Sequence, residues 1–227
     1  MRVSSDEGGN ALFYNARPGC HRITAASPAR NVAAGRVIVS DSVTRVLVVA
    51  ATGKELAVGD GWLTLCCGVG PVEAAAITAS AIARTTPHLI LHVGIAGARR
   101  AAALRPPALV IGDESRYCDL SVPATLAPSV VQVPVHLVAS ARRALPDAVV
   151  RAIGTSGTIG GTSGCDVEAM EGFGVLRAAQ LAGVPAVEVR AISNAIEDTD
   201  RSLWKFDEAF AAVIEATPRL VSELSRA

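Results

Sequence analysis

The stretch VEAMEGFGVLRAAQLAGVPAVEVRAISN, residues 167–194, predicts a helix followed by a strand. Its first part, residues 167–182, has apolar residues at spacings of three and four, and Gly183 ends the predicted helix. The part at 186–192 is β-branched and mostly apolar, which is typical of a buried strand with Asn194 just past its carboxyl end. Because ligands of α/β proteins bind at such strand ends, the unit predicts a binding site around Asn194.

Strands and helices alternate along the rest of the chain from Arg45 onward. β-branched apolar runs predict further strands, and alanine-rich or amphipathic runs predict further helices. The strands are predicted at 46–51, 61–67, 88–97, 108–114 and 149–156, and the helices at 71–85, 135–145 and 205–225. This alternation predicts one α/β domain over residues 44–227, with a largely parallel sheet covered by helices.

Composition limits the number of domains and the kinds of partner. The chain has 227 residues, half of them hydrophobic, which suits one well-buried core rather than two. Its formal net charge is zero and its basic residues are scattered, so neither nucleic acid nor a charged membrane surface is an expected partner. No apolar run approaches the roughly 18 residues of a membrane span, and a small molecule is the expected partner.

The N-terminal segment, residues 1–43, differs from the rest of the chain. It holds Gly, Asn, Ser, Pro and scattered Arg without a sustained period, and it lacks the apolar core of a secretory signal. We predict a poorly ordered extension there. The five cysteines of the chain form no CxxC pair, which indicates a reducing compartment, so the protein is expected in the cytoplasm.

Neither a metal nor a cofactor is expected. His88 and His92 are four residues apart, but they fall on a predicted strand, where this spacing does not create a helical metal pair. The loop GVGPVEAA, residues 68–75, lacks the third glycine of the dinucleotide fingerprint and the GKS or GKT of a P-loop. Binding of NAD or ATP is therefore not predicted.

Two features of the predicted site have plain structural alternatives. Glu171 stands early in the predicted helix, where the helix dipole favours a carboxylate without any catalytic role. The loop GIAG, residues 94–97, can bind a substrate oxygen through its backbone N–H groups or merely turn the chain. Residue types alone leave both alternatives open.

The order of the motifs resembles a known group of enzymes. These motifs are AATGKE, GVGPVEAA, HVGIAGA, VIGDESRYCD, GTSGT, VEAMEG and VRAISN. Over about residues 45–225 the order is similar to that of the purine nucleoside phosphorylase and methylthioadenosine nucleosidase superfamily. The C-terminal motifs most resemble the futalosine hydrolase family. The resemblance implies a three-layer α/β fold with a central mixed, mostly parallel sheet flanked by helices, and a homodimer or higher homo-oligomer.

The resemblance also implies roles for single residues. Glu55 matches the carboxylate that activates the hydrolytic water. Met170 and Glu171 match a pair that packs against the ribose and binds its hydroxyl groups. The second glycine loop is expected to contact the substrate through Ile95, Ala96 and Gly97.

Asn194 stands where methylthioadenosine nucleosidases carry a catalytic Asp. A protonated Asp offers one donor and one acceptor, which suit N7 and the 6-amino group of adenine. The NH2 group of Asn offers two donors, which suit N7 and O6 of a 6-oxopurine. Hypoxanthine is therefore the expected leaving base, although a flipped Asn amide can also serve adenine.

Water rather than phosphate is the expected nucleophile. Phosphorylases of the superfamily carry an Arg and a Ser or Thr around the second glycine loop, where this chain has His92 and Ile95. The first loop, ATGKEL, also lacks their arginine. A bound phosphate would thus lose its strongest charge-assisted contacts.

The implied activity is hydrolysis of the N-glycosidic bond of futalosine, in the futalosine pathway of menaquinone biosynthesis. The benzoate of futalosine requires a cation or amide, and the candidates are Arg201, Arg116 and Lys205, with Arg201 preferred as a bidentate partner. The structural alternative is a solvated charge cluster in which Asp198 or Asp200 pairs with Arg201.

Two other functions stay open at this point. One is a methylthioadenosine or adenosylhomocysteine nucleosidase, which Asn194 disfavours. The other is a catalytically weak nucleoside-binding protein, because the segments 56–67 and 120–149 are shorter than in relatives and their loss could misplace Glu55.

Overall fold

The computed structural model describes residues 45–160 and 164–227, so the extension predicted over residues 1–43 lies outside the described residues. The strands are β1 (Val46–Ala50), β2 (Trp62–Cys66), β3 (Leu89–Ala98), β4 (Leu109–Tyr117), β5 (Val130–Gln132), β6 (Val149–Thr155), β7 (Val167–Ala169) and β8 (Ala186–Ala195). The helices are α1 (Pro71–Thr85), α2 (Val135–Ala144), α3 (Gly172–Leu181) and α4 (Phe206–Leu224). Short 3-10 turns lie at Gly53–Glu55, Arg100–Ala102 and Arg201–Leu203.

The helix predicted over residues 167–182 is wrong at its start. Its first three residues form β7, and α3 begins only at Gly172. β7 pairs with β3 on one side and with β6 on the other, and this tertiary hydrogen bonding outweighs the helical pattern of the local sequence. The following strand, β8, continues past the predicted end at residue 192 and includes Asn194.

Five strands close the sheet into a ring. β3 pairs with β7 and β8, β4 pairs with β6 and β8, and β6 pairs with β7. β1 and β2 extend the sheet from β3, and β5 pairs with β4. Most of these pairs are parallel, while β3–β7, β4–β5 and β4–β8 are antiparallel. The predicted mixed, mostly parallel sheet is therefore confirmed, but it closes on itself instead of forming a flat layer.

Apolar side chains from every strand of the ring pack into one small cluster. Its buried members are Ala96, Ala98, Val110, Ile153, Val167, Ala169 and Ile192. A larger cluster joins β1, β3 and β8 to the helices. The ring is thus packed on both of its surfaces, as a stable sheet of this kind requires.

The helices that flank the sheet pack in two pairs, α1 with α3 and α2 with α4. Helices α1 and α3 approach closely at Gly174, where an added Cβ would lie 2.4 Å from the carbonyl oxygen of Pro71. In the described part of the chain, no helix combines the length and the apolar character needed to cross a membrane.

The sheet brings three strand ends to one edge. β1, β3 and β8 are mutually parallel neighbours through β3, so their carboxyl ends meet there. The pairing of β3 with β8 shifts between Ala96 and Gly97, and Gly97 consequently stands opposite Asn194. Residues 94–97, predicted as a glycine loop, are part of β3 in the structure, because they continue the pairing with β8, and they stand at this edge beside the predicted base-binding amide.

Candidate active site

A cavity of about 260 Å³ opens at this edge of the sheet. It brings together all eight residues that the sequence predicts for the site: Glu55, Ile95, Ala96, Gly97, Met170, Glu171, Asn194 and Arg201. The preferred benzoate candidate thus shares a cavity with the two carboxylates and the amide.

Glu55 follows β1 on a 3-10 turn and is only 4% exposed. Its Oε2 accepts hydrogen bonds from the backbone N–H and the hydroxyl of Thr52, each at 2.8 Å. Its Oε1 accepts from the backbone N–H of Ile95 at 3.3 Å. A solvated loop carboxylate would be exposed and free to rotate, whereas Glu55 is buried and fixed at the cavity wall.

Glu171 is the residue directly before α3, but its side chain does not cap that helix. Its Oε1 instead accepts from the backbone N–H of Gly70, 3.2 Å away at the start of α1. Burial raises the pKa of the Glu171 carboxyl above its usual value, although Arg190 and the Gly70 N–H act in the opposite direction. The carboxylate therefore lies at the start of α1, a position that the helix dipole of α1 favours, and it lines the cavity as well.

Arg190 lies beneath both carboxylates and is 1% exposed. Its Nη1 is 3.5 Å from Oε2 of Glu171 and 3.5 Å from the carbonyl oxygen of Ile95. Its Nε donates to Oε1 of Glu188 at 2.7 Å. Burial opposes the charge of Arg190, but Glu188 and Glu171 raise its pKa overall, so the guanidinium is charged.

Gly94 makes this arrangement possible. A Cβ at residue 94 would lie 2.2 Å from Nη1 of Arg190 and 3.0 Å from Oε1 of Glu55. No side chain fits there, because the guanidinium of Arg190 occupies the space beside Gly94.

His92 is fully buried beside the guanidinium, with its ring nitrogens 3.2 and 3.3 Å from Nη2 of Arg190. Burial and the charge of Arg190 hold the pKa of His92 well below its usual range. The imidazole is therefore neutral, and it does not line the cavity. His92 cannot replace the phosphate-binding arginine of a phosphorylase.

The sequence reasoning missed Arg190 and its partner Glu188. Both side chains lie in the mostly apolar first part of β8. They are two residues apart, so they share one face of the strand. Two opposite charges at this spacing in a buried strand are the signal that could have revealed the network, because buried charges require partners.

The amide of Asn194 is buried at the end of β8. Its Oδ1 is 2.8 Å from the hydroxyl of Ser193, and its Nδ2 donates to the carbonyl oxygen of Ala195 at 2.8 Å. The hydroxyl of Ser193 donates to the amide oxygen and so fixes the orientation of the amide. The NH2 group, with two donors, has one more hydrogen bond to give.

An aromatic wall, which consists of Trp204, Phe206 and Phe210, forms another side of the cavity. The guanidinium carbon of Arg201 lies 5.2 Å from the Trp204 ring centre and 6.0 Å from that of Phe206. These distances are within the range of cation–π contacts. The sequence reasoning did not single out these aromatic residues.

The acidic neighbours of Arg201 are engaged elsewhere. Asp198 forms an ion pair with Arg100, and Asp200 accepts a hydrogen bond from the backbone N–H of Ser202 at 2.9 Å. The alternative in which either aspartate pairs with Arg201 is therefore wrong in this structure.

The other two benzoate candidates do not line this cavity. Arg116 is exposed on β4 and pairs with Glu114. Lys205 lines a neighbouring cavity that shares Ser193 and Asn194 with the first. Within residues 45–160 and 164–227, no cluster of His, Cys, Asp and Glu side chains is arranged to hold a metal ion.

Comparisons with known proteins identify relatives of the chain. No protein-family model matches it. A futalosine hydrolase of Streptomyces coelicolor is 35% identical over 194 residues, which cover 73% of this chain and 80% of the relative. A futalosine hydrolase of Thermus thermophilus is 28% identical over 190 residues, which cover 73% of this chain and 83% of that relative.

A solved structure of the same fold is a 5'-methylthioadenosine/S-adenosylhomocysteine nucleosidase from Colwellia psychrerythraea, in complex with adenine. It superposes with a TM-score of 0.71 at 19% identity, covering 80% of this chain and 96% of that chain. At this identity the likeness establishes the fold alone. The identity of 35% to the Streptomyces protein over most of both sequences establishes more: the chain belongs to the futalosine hydrolase family.

Proposed function

We propose that this protein hydrolyses the N-glycosidic bond of futalosine and releases hypoxanthine and dehypoxanthine futalosine, in the pathway to menaquinone. The observation that carries the proposal is the convergence of Glu55, Glu171, Asn194 and Arg201 on one cavity in a chain of this family. Each of the four suits a different part of the substrate.

Glu55 is the proposed general base. Breaking an N-glycosidic bond builds positive charge on the ribose, so a nearby carboxylate stabilises the transition state while it accepts a proton from the attacking water. The hydrogen bonds from Thr52 and Ile95 hold the carboxylate at the cavity wall. A positioned base is more effective than a mobile one, because no conformational entropy is lost in orienting it during the reaction.

Glu171 is proposed to accept hydrogen bonds from the ribose hydroxyl groups. Only the ionised carboxylate can accept from both hydroxyls at once. Arg190, 3.5 Å away, favours that ionised form against the effect of burial. Met170 lies next to it on the cavity wall and supplies an apolar surface for the sugar.

Asn194 is proposed to donate to N7 of the base as negative charge develops there. A donor aimed at the leaving group lowers the barrier because the interaction strengthens in the transition state. The second N–H donates to the carbonyl oxygen of Ala195 in the structure, so donation to O6 of hypoxanthine as well, which the sequence predicts, requires the amide to give up that bond.

Arg201 and the aromatic wall are proposed to bind the benzoate. The rings of Trp204 and Phe206 offer a stacking surface for the aryl group, and the guanidinium offers two parallel donors to its carboxylate. Arg201 is the one lysine or arginine among the described residues that line the cavity. A single exposed cation suits a carboxylate better than a phosphate dianion, which supports water as the nucleophile.

Three wider features are part of the same proposal. We infer that the two helix pairs form the outer layers of a three-layer domain over residues 44–227. Copies of the chain are proposed to associate as a homodimer or higher homo-oligomer, and to work in the cytoplasm. The packing of the helices in two separate pairs supports the layered arrangement.

The test is release of free base by the purified protein. Futalosine, 6-amino-6-deoxyfutalosine, inosine and methylthioadenosine are offered separately, each with and without phosphate. The expected result is hypoxanthine from futalosine at a rate that phosphate does not change. Adenine from methylthioadenosine as the main product would favour the methylthioadenosine nucleosidase alternative, and tight binding without base release would favour a nucleoside-binding protein.

A further inference from the structure

Glu188 is a buried carboxylate beneath the cavity, and the proposed mechanism gives it no role. Its side chain is fully buried and does not line the cavity. Its Oε2 has no hydrogen-bond partner among the residues that the structure describes. A buried acceptor without a partner is costly, and replacement of a buried ion pair by apolar side chains is often neutral or stabilising. Stability alone therefore does not account for a glutamate at this position of β8.

The Glu188 carboxylate contacts both the guanidinium of Arg190 and the start of α3. Its Oε1 accepts from Nε of Arg190 at 2.7 Å. A Cβ at Gly172, the first residue of α3, would lie 2.2 Å from Oε2 of Glu188 and 2.4 Å from its Oε1. Gly172 directly follows Glu171 in the chain. The absence of a side chain at Gly172 thus lets the Glu188 carboxylate lie against the backbone next to Glu171.

The bond to Glu188 fixes the direction of the whole guanidinium. The group is planar and rigid, so a hydrogen bond at Nε determines where Nη1 and Nη2 lie. Nη1 is 3.5 Å from Oε2 of Glu171, and Nη2 lies beside the ring nitrogens of His92. The contact of Arg190 with Glu188, at 2.7 Å, is therefore much shorter than its contact with Glu171. Arg190 is held by the carboxylate outside the cavity and only approaches the one inside it.

The charges of this network give the unequal distances a chemical meaning. Burial is the main cause that raises the pKa of Glu171; Arg190 lowers it, and the charges of Glu55 and Glu188 raise it further. The attraction of Arg190 for Glu171 depends on how far Glu188 already balances the charge of the guanidinium. Without Glu188, Arg190 would form a closer ion pair with Glu171, whose oxygens would then be less free to accept from a ligand.

We propose that Glu188 is a positioning residue of the reaction: it holds Arg190 away from Glu171, so that the Glu171 carboxylate stays free to accept hydrogen bonds from the ribose hydroxyl groups. Glu188 acts through Arg190 and does not touch the substrate. This inference rests on the proposed function, because it takes the ribose to lie at Glu171.

Two variants separate the charge of Glu188 from its reach. Glu188→Gln keeps the shape and an acceptor for Nε of Arg190 but removes the charge, whereas Glu188→Asp keeps the charge on a side chain that is one methylene shorter. The measurement is the pH profile of kcat/KM for futalosine, whose acid limb is expected from protonation of Glu171. The matched control is Glu215→Gln, which removes an exposed carboxylate on α4 and should leave the profile unchanged.

The two variants are expected to change different parts of the profile. In Glu188→Gln the acid limb should move to lower pH, because Glu188 no longer balances the charge of Arg190 beside Glu171. In Glu188→Asp the acid limb should stay near its wild-type position, while kcat/KM on the plateau falls at least about tenfold because the guanidinium is no longer held in place. A purely structural role would not move the acid limb in one variant and spare it in the other.

The other groups around Glu171 do not produce this pattern. The titratable or charged side chains on the surrounding elements are Glu55, Cys67, His92, Glu168, Glu188 and Arg190. Burial raises the pKa of the Cys67 thiol to about 12, and burial together with Arg190 holds the pKa of His92 well below its usual range. Cys67 and His92 are therefore neutral, and Glu55 and Glu168 are the same in both variants. A shift in Glu188→Gln that is absent in Glu188→Asp reports the charge of Glu188.

A titration without substrate provides a second readout. The carbon NMR signal of the Glu171 carboxyl, assigned by its loss in Glu171→Gln, is followed against pH in the wild type and in Glu188→Gln. We expect its midpoint at lower pH in Glu188→Gln. An unchanged midpoint would overturn the inference, whatever the activity, and would leave the proposed function standing if the wild type releases hypoxanthine. A shifted midpoint in a protein that hydrolyses no futalosine would support the action of Glu188 on Glu171 while the proposed function fails.

Discussion

At the scale of single residues, the chemistry depends on which group holds each carboxylate. Glu55 is held by Thr52 and Ile95, which are backbone and hydroxyl donors, whereas Glu171 lies beside the charged Arg190. The donors to Glu55 fix the orientation of its carboxylate, whereas burial raises the pKa of Glu171 and Arg190 opposes that effect. The proposed roles of base and sugar ligand are assigned on these different neighbours.

Removal of the Glu55 charge should therefore abolish water activation and leave substrate binding largely intact. We expect Glu55→Gln to lower kcat for futalosine by about 10²- to 10⁴-fold with little change in KM, the usual scale for loss of a general base. Steady-state kinetics measures both constants. Asp60→Asn, an exposed carboxylate five residues away, is the control. Full activity in Glu55→Gln would exclude the proposed base.

The raised pKa of Glu171 should appear in the pH profile. The role proposed for Glu171 requires the ionised form, so kcat/KM should fall as the pH drops through the Glu171 pKa, at a pH above the ordinary glutamate value of 4.5. In Glu171→Gln this acid limb should vanish while KM rises. An acid limb that stays in place in Glu171→Gln would assign it to another group.

The same raised pKa makes the free energy of unfolding depend on pH in the opposite direction to activity. A carboxyl whose pKa is higher in the folded state contributes most below its unfolded pKa, and this contribution is lost as the pH rises through the folded pKa. Activity and the stability contribution of Glu171 thus change in opposite directions over one pH interval. The residue serves the reaction at some cost to the fold, as residues of active sites commonly do.

Arg201 should affect only substrates that carry a benzoate. We expect Arg201→Ala to raise KM for futalosine at least about tenfold, because a charge-assisted contact is lost, and to leave KM for inosine nearly unchanged. Arg219→Ala, an exposed arginine on α4, serves as the control for general charge effects. An equal rise for both nucleosides would place the effect of Arg201 outside benzoate recognition.

The sequence pattern identified Asn194, because it follows a predicted strand and ligands of α/β proteins bind at strand ends. Glu55 was identified through the family resemblance of its motif instead. The pattern did not identify Arg190, because a long side chain that reaches under a neighbouring strand leaves no local pattern. Contacts across strands depend on register, and register is set by the whole sheet.

At the scale of elements, α1 and α3 pack closely against each other at Gly174. Gly174→Ala should destabilise the fold by about 1–3 kcal/mol, because its methyl group would overlap the backbone of α1, which cannot move aside as a side chain can. Urea unfolding measures the loss. Gly157→Ala is a matched control, since its Cβ would meet only Asp119 at an ordinary 3.5 Å. Equal stability of the two variants would show that α1 and α3 can separate freely.

The element that sequence reasoning misplaced, β7, is paired with a strand on each side. Val167–Ala169 carries apolar residues at positions that fit a helix, but β3 and β6 leave a gap that only a strand can fill. Its length of three residues is too short for any period to distinguish strand from helix. Long elements such as β3 and α4 were predicted correctly because they carry a sustained pattern.

At the scale of the whole molecule, closure of the ring fixes the distances between the polar groups of the cavity. β3 lies at the centre, paired with β1, β7 and β8 along different parts of its length. β1 leads to the turn with Glu55, β7 leads to Met170 and Glu171, and β8 contains Asn194. The alternation of strands and helices was sufficient to predict an α/β sheet, but ring closure depends on β7 and on antiparallel pairs that alternation does not reveal.

The hydrogen bonds of Glu55 make its two oxygens chemically unequal. Oε2 receives two donors at 2.8 Å, whereas Oε1 receives one at 3.3 Å. The two donors to Oε2 occupy its lone pairs, so Oε1 has more free capacity to accept a further hydrogen. The proton taken from water should therefore bind to Oε1. The two hydrogen bonds from Thr52 to Oε2 can then persist through every catalytic cycle.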